Sequence, residues 1–168
     1  MATLQGDMAT LAGNMAALQE MERLRILLEQ AGVEILLLKG AAYLDTLYPD
    51  LSTRKMCDLD FLIRESDRDK TWVVLESDGY QRILNSDRIK SAAMRSQFTY
   101  TKKEPRFQLD IHWELGHTGR HHIDYDAVFN RARVFNLPQR TFRTLSAEDS
   151  ILFSAIHEAK DLFSPNTK

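Results

Sequence analysis

Two aspartates, Asp58 and Asp60, stand one residue apart in the β-prone run Asp58-Leu59-Asp60-Phe61-Leu62-Ile63. Alternation along a strand puts both carboxylates on one face and Leu59 and Phe61 on the other. Acids so placed repel each other and are costly unless their charge is compensated. A hard divalent cation compensates it, taking oxygen ligands and keeping substrate phosphates in its remaining positions. A third acid, Asp110, lies in a second β-prone run, Leu109-Asp110-Ile111-His112-Trp113. If the two runs are sheet neighbours, three carboxylates at one edge suffice for the two ions of two-metal phosphoryl transfer. The bland alternative is surface acids, or ion-pair partners of Arg54 and Lys55. For an isolated Asp-x-Asp that alternative is the commoner one.

Lys39-Gly40 adds a second kind of chemistry. A strand that ends in a glycine turn and opens a helix offers free backbone N–H groups and the positive end of the helix dipole to a phosphate. Lys39 adds a point charge. The competing reading is a plain turn glycine and a solvated lysine. Arg54, four residues before Asp58, is placed to reach the same site or simply to balance the acids.

The remaining reactive residues say less. His112 alternates with Asp110 on one strand face, where it could orient a metal ligand or contact phosphate. His117, His121 and His122 share a polar loop without metal-ligand spacing. His157 sits among apolar neighbours and reads as a structural histidine. Trp113 could stack a base, but strand-core packing is favoured. Cys57 is the single cysteine. The adjacent Asp58 carboxylate raises a thiol pKa, which argues against a nucleophile.

These residues need elements to hold them. Met8, Leu11, Met15, Leu18, Met21, Leu24 and Leu28 recur every three or four residues, which predicts an amphipathic helix ended by Gly32. Its Met-rich stripe is expected to pack in the core; it is also the candidate surface for a second copy of the chain. Val33 to Leu38 reads as a strand, Ala41 to Tyr48 as a helix stopped by Pro49, and Asp58 to Ile63 as a second strand. Ser66 and Asp69 suggest a cap for a helix that Gly79 closes. Tyr80 to Leu84 reads as a strand with a short helix after it. Phe98 to Lys102 and Phe107 to Leu115 flank Lys103-Glu104-Pro105-Arg106, as a hairpin would. Segment 116–123 is a loop. Short strands follow at Val134 to Leu137 and Thr141 to Leu145, and Ser146 opens a final helix through about Phe163. The sum is α+β, a small mixed sheet with packed helices.

The chain has 168 residues, 43% hydrophobic and 27% charged, enough for a real core. A formal net charge of −2 gives no basis for bulk electrostatic binding of nucleic acid. No run approaches the ~18 apolar residues of a membrane span. One cysteine and no secretory leader pattern lead us to expect a reducing, cytoplasmic setting.

Taken together, four segments resemble the uncharacterised nucleotidyltransferase family of the DNA polymerase beta-like superfamily. They are Ile35-Leu36-Leu37-Leu38-Lys39-Gly40-Ala41-Ala42, then Leu47-Tyr48-Pro49, then Arg54 to Ile63, then Leu109 to Trp113. Leu145-Ser146-Ala147-Glu148-Asp149 is similar to a later family segment. The resemblance implies a polymerase beta-like fold with Asp58, Asp60 and Asp110 as catalytic metal ligands. It also implies Mg²⁺ or Mn²⁺ as cofactor, and an NTP such as ATP as donor. Where the superfamily has a Gly-Ser phosphate-binding turn, this chain has Lys39-Gly40-Ala41. Lys39, Gly40 and Arg54 would then hold the nucleotide. Residues 1–32 form an N-terminal helix, 33–145 the nucleotidyltransferase core and 146–168 a C-terminal helix. Relatives continue into more helices, so a minimal or truncated form is expected. The expected reaction moves a nucleoside monophosphate to an acceptor – small molecule, protein or RNA end – and releases pyrophosphate. A catalytically silent nucleotide- or partner-binding module and a metal-dependent phosphohydrolase are the alternatives.

Overall fold

A computed structural model describes residues 7–43, 50–83, 96–103, 107–116, 122–137 and 140–162. The Leu47-Tyr48-Pro49 helix stop, the short helix expected after Leu84, most of the Lys103–Arg106 turn, His117, His121 and the chain end after Leu162 lie outside these residues.

Helix α1 spans Met8–Gln30. The Asp7 side chain caps it by accepting from the Ala9 N–H at 3.1 Å. Gly32 follows at φ 72°, a left-handed turn that favours glycine. The expected stripe is buried only in its second half, through Leu18, Met21, Leu24 and Leu28. Met8 and Met15 are exposed, and the buried face continues N-terminally through Ala17 and Asn14 instead.

The strands are β1 (Leu36–Leu37), β2 (Asp58–Leu62), β3 (Gln81–Arg82), β4 (Gln97–Thr101), β5 (Gln108–His112), β6 (Arg133–Leu137) and β7 (Arg140–Thr144). They form one mixed sheet in the order β3-β4-β5-β2-β1-β7-β6. The β2–β5 and β1–β7 pairs are parallel, and the other neighbours are antiparallel. A one-turn helix α2 (Lys39–Ala42) follows β1. A 3-10 turn over Glu65–Asp67 leads into α3 (Arg68–Ser77). The N-cap of α3 is Asp67, with no side-chain cap bond, so the Ser66 capping signal is not used. Helix α4 (Tyr125–Asn130) was not anticipated; its cap is the Asp124 carboxylate, which accepts from the Ala127 N–H. Helix α5 covers Ala147–Leu162. Among the described residues no helix is long and apolar enough to cross a membrane.

Strand alternation sorts the core into two layers. Leu59, Phe61, Ile63, Leu109, Ile111 and Trp113 pack with Met21, Leu24 and Leu28 of α1 and Leu75 of α3. Leu36, Leu38 and Leu62 pack on the other side with Val128 and Phe129 of α4 and Phe153 of α5. Trp113 thus belongs to the core, edge-on to Phe98 with ring centroids 4.8 Å apart. Asp58, Asp60, Asp110 and His112 have the parity of Leu62, which puts them on the α5 side of the sheet.

Candidate functional site

The parallel pairing of β2 and β5 aligns Asp58 with Gln108, Asp60 with Asp110, and Leu62 with His112. In-register residues of paired strands point to the same side, so the three acids lie on one face. Asp58 sits at the exposed N-terminal end of β2. Asp60 and Asp110 are 2% and 6% exposed.

The buried acids are only partly compensated. The Asp60 Oδ1 accepts from the Lys39 Nζ at 2.7 Å and from the His112 Nε2 at 2.8 Å. An ionised carboxylate can only accept, so the His112 proton sits on Nε2 in this contact. Asp110 Oδ2 accepts from the Gln97 Nε2 at 3.3 Å. Asp110 Oδ1 is buried and has no hydrogen-bond partner among the described residues. Burial pushes the Asp60 carboxyl up. The hydrogen bond and charge of His112, with Lys39, outweigh that and hold it below the usual range. Asp58 is pushed up, first by partial burial and then by the charge of Asp60. Lys39 opposes the shift and Asp110 adds to it. Lys39, Asp58, Asp60, Asp110 and His112 therefore act on one another as one electrostatic unit. Asp60, Asp110 and His112 each bring one donor atom within 4.8 Å of the others, close enough to hold a metal ion.

The phosphate-binding expectation meets a different local geometry. The residue with the left-handed backbone is Lys39, at φ 50°, and not Gly40. A Cβ on Gly40 would meet no atom of the described residues within 4 Å, so neither backbone angle nor crowding among them requires glycine there. Arg54 is exposed in the stretch leading into β2. Its carbonyl accepts from the Asn14 Nδ2 at 2.7 Å.

Three contributors escaped the sequence reading. Asn14 is fully buried on α1; its amide also donates to the Leu51 carbonyl, and its Oδ1 accepts from the Met56 N–H. It thereby fixes the approach to Asp58 from outside the site. The signal was present, a lone amide on the helix face of Ala17 and Leu18. Gln97 could have been found from the hairpin. A turn centred between Glu104 and Pro105 sets Thr99 opposite Asp110 and Gln97 opposite His112, the register observed. Phe153 of α5 closes over the site, edge-on to His112 at 6.2 Å between ring centres, and stacks on His157 at 6.0 Å. Ser96, Gln97, His112, Phe153 and His157 line a small cleft there. Cys57 is exposed, as is His122.

Solved structures of like fold place this architecture. A putative nucleotidyltransferase from Thermotoga maritima, TM1012, is 10% identical, with a TM-score of 0.61 over 88% of this chain and 90% of its own. LnuA, a lincosamide antibiotic adenylyltransferase solved with lincomycin bound, is 21% identical, with a TM-score of 0.57 over 80% and 84%. The antibiotic-resistance factor ANT(2'')-Ia is 14% identical, with a TM-score of 0.59 over 92% and 77%. At these identities the likeness is one of fold. No curated protein sequence matches the chain. The sequence model of the uncharacterised nucleotidyltransferases matches residues 5–168, nearly the whole length. With the mixed sheet and the aligned acids of β2 and β5 in hand, that match assigns the chain to the uncharacterised nucleotidyltransferase family.

Proposed function

We propose that this protein transfers a nucleoside monophosphate from an NTP to an acceptor and releases pyrophosphate, with Asp58, Asp60 and Asp110 as its metal-binding, catalytic acids. The observation that carries the reading is the in-register pair Asp60 and Asp110 on neighbouring parallel strands. Asp110 Oδ1, buried without a hydrogen-bond partner among the described residues, is the donor left over for a cation. A buried polar atom without a partner costs about 1–3 kcal/mol, so the fold keeps it against its own stability. The donor set fits Mg²⁺ or Mn²⁺. When bound, such ions neutralise the triphosphate and make an acceptor hydroxyl easier to deprotonate.

The residues divide the remaining tasks. Asp110 accepts the acceptor's proton. Lys39, the first residue of α2, supplies a point charge for the β- and γ-phosphates. The open space at Gly40 lets a phosphate approach the backbone. Arg54 flanks the same entrance. ATP with a hydroxyl-bearing small molecule is the first pair to test, because LnuA, of like fold, is a lincosamide antibiotic adenylyltransferase and ANT(2'')-Ia was solved in complex with adenylyl-2''-tobramycin.

Pyrophosphate release from each NTP, with Mg²⁺ or Mn²⁺ and a panel of acceptors, tests the proposal. Turnover should vanish in excess EDTA, and Asp60→Asn should lower it at least ~100-fold, the scale of one lost element of a preorganised electrostatic site. Full activity of Asp60→Asn or in EDTA would overturn the mechanism. A second reading, a silent nucleotide-binding module, has one observation behind it: Lys39 already compensates Asp60 as a structural ion pair would. Stabilisation by nucleotide and metal, without turnover across the panel, would favour it.

A further inference from the structure

We infer that one ion site of this chain is a mixed one, in which the His112 imidazole is a direct ligand beside Asp60 and Asp110, so that it selects Mn²⁺ over Mg²⁺. The inference rests on the nucleotidyl-transfer reading above and names the ion-binding set of that same site.

Geometry singles out His112. The mutually close donors are those of Asp60, Asp110 and His112. Asp58, at the exposed strand end, is not among them. Adjacent ligands of an ion bound at ~2.1 Å lie roughly 3 Å apart. Asp60 Oδ1 and His112 Nε2 are 2.8 Å apart, already near that spacing. The three residues are 2%, 6% and 3% exposed, so their donors face one another in a buried site. Asp110 contributes the buried Oδ1 that no other described residue satisfies. His112 comes from the strand that carries Asp110, and Phe153 abuts its ring, so its position is fixed. Ligation uses the Nε2 lone pair, so metal binding releases the proton that Nε2 donates to Asp60 and leaves the ring its proton at Nδ1, while the ion takes over from Lys39 as the positive charge on Asp60 Oδ1. Mg²⁺ demands oxygen ligands in near-ideal octahedral geometry, whereas Mn²⁺, equally at home among carboxylates, is a first-row transition ion that accepts an imidazole beside them.

The test uses the full chain with Mn²⁺ alone and no nucleotide. Pulsed electron paramagnetic resonance should show nitrogen-14 modulation from a coordinated imidazole, converted to the nitrogen-15 pattern by labelled histidine. The coupling should persist when His117, His121, His122 and His157 are all changed to Asn. It should be lost in His112→Gln, checked for folding by circular dichroism. Calorimetry should show Mn²⁺ preferred over Mg²⁺ at least ~10-fold in the wild type, with the preference falling toward parity in His112→Gln. Mn²⁺ that binds through Asp60, is lost in Asp60→Asn and carries no nitrogen coupling would overturn the inference while leaving the proposed function standing. Coupling that survives in His112→Gln would overturn it too. No Mn²⁺ binding, even with a non-hydrolysable NTP analogue, would overturn both.

Discussion

Lys39 holds a backbone angle of +50°, which costs a non-glycine residue about 1–2 kcal/mol. Strain of this kind concentrates where a side chain must be aimed, and here it aims an ammonium at the Asp60 carboxylate. Lys39→Ala should weaken NTP binding by about 1–3 kcal/mol, the value of one charge-assisted contact; unchanged affinity by calorimetry would exclude a phosphate contact. Gly40→Ala separates folding from binding. With open space at the Cβ and ordinary helical backbone, alanine should leave the melting temperature unchanged or add about 0.5–1 kcal/mol of stability. It should nonetheless weaken nucleotide affinity if a phosphate lies against that backbone, and a variant that binds NTP normally would rule the contact out. The acids were legible because strand alternation needs only the spacing of Asp58 and Asp60. The division of labour between Lys39 and Gly40 was not, since a Lys-Gly pair does not say which residue takes the unusual angle.

At the scale of elements, the site is built from three adjacent strands and tethered by a helix that packs on the opposite face of the sheet from its acids. Asn14 ties α1 to the stretch before β2 through two donated bonds and one accepted bond. Asn14→Ala removes all three. At about 0.5–1.5 kcal/mol each, the loss should be about 2–4 kcal/mol, read by chemical denaturation. Activity should fall with it at temperatures where the fold survives; a stable Asn14→Ala protein with slack activity would mean the tether acts only on geometry, and one unchanged in both would refute it. The helices α1 and α3 and the β4–β5 hairpin were readable from period and turn chemistry. Helix α4 was not, because six residues are too few to show a period and its apolar pair Val128-Phe129 fits a strand equally well. The sheet order was equally hidden, since β1 and β7 are joined by long-range packing that no local pattern encodes.

Across the whole molecule, a net charge of −2 conceals ion pairs that bind distant segments together. Arg23 bridges Glu20 and Asp78, Lys102 also reaches Asp78, and Tyr80 donates to Glu20. Arg131 forms a two-pronged pair with Asp149 at the start of α5. The Arg131 hydrogen bonds hold the Asp149 carboxyl below its usual range against the opposing effect of burial, with Ser146 assisting. Burial pushes Asp78 up, but Arg23 and Lys102 outweigh it and hold it low. A depressed carboxyl stabilises the fold fully above its unfolded pKa of ~3.9, and that stability drains away as pH falls through the lower folded value. Melting temperature should thus be insensitive to these groups between pH 5 and pH 7 (roughly, since the unfolded value sets the window) and drop below about pH 4. Asp149→Asn should make the acid drop shallower; an unchanged acid limb would remove Asp149 from the account.

The two residues of β1 have a consequence in time. They bond to β2 on one side and to β7 on the other, and the Thr144 hydroxyl donates to the Leu37 carbonyl across 107 positions of sequence. At a synthesis rate of about 5–20 residues per second, the ribosome needs roughly 5–20 s to deliver β7 after β1 has been made. Throughout that interval the Leu36-Leu37 edge stands without its second neighbour, a bare strand edge of the sort that recruits other chains. Pairing across so long a loop is also slow once both strands exist. The nascent chain therefore passes through a window in which the centre of its sheet is its most adhesive part, and yield in the cell should respond to translation speed and chaperone supply before it responds to any change at the acids.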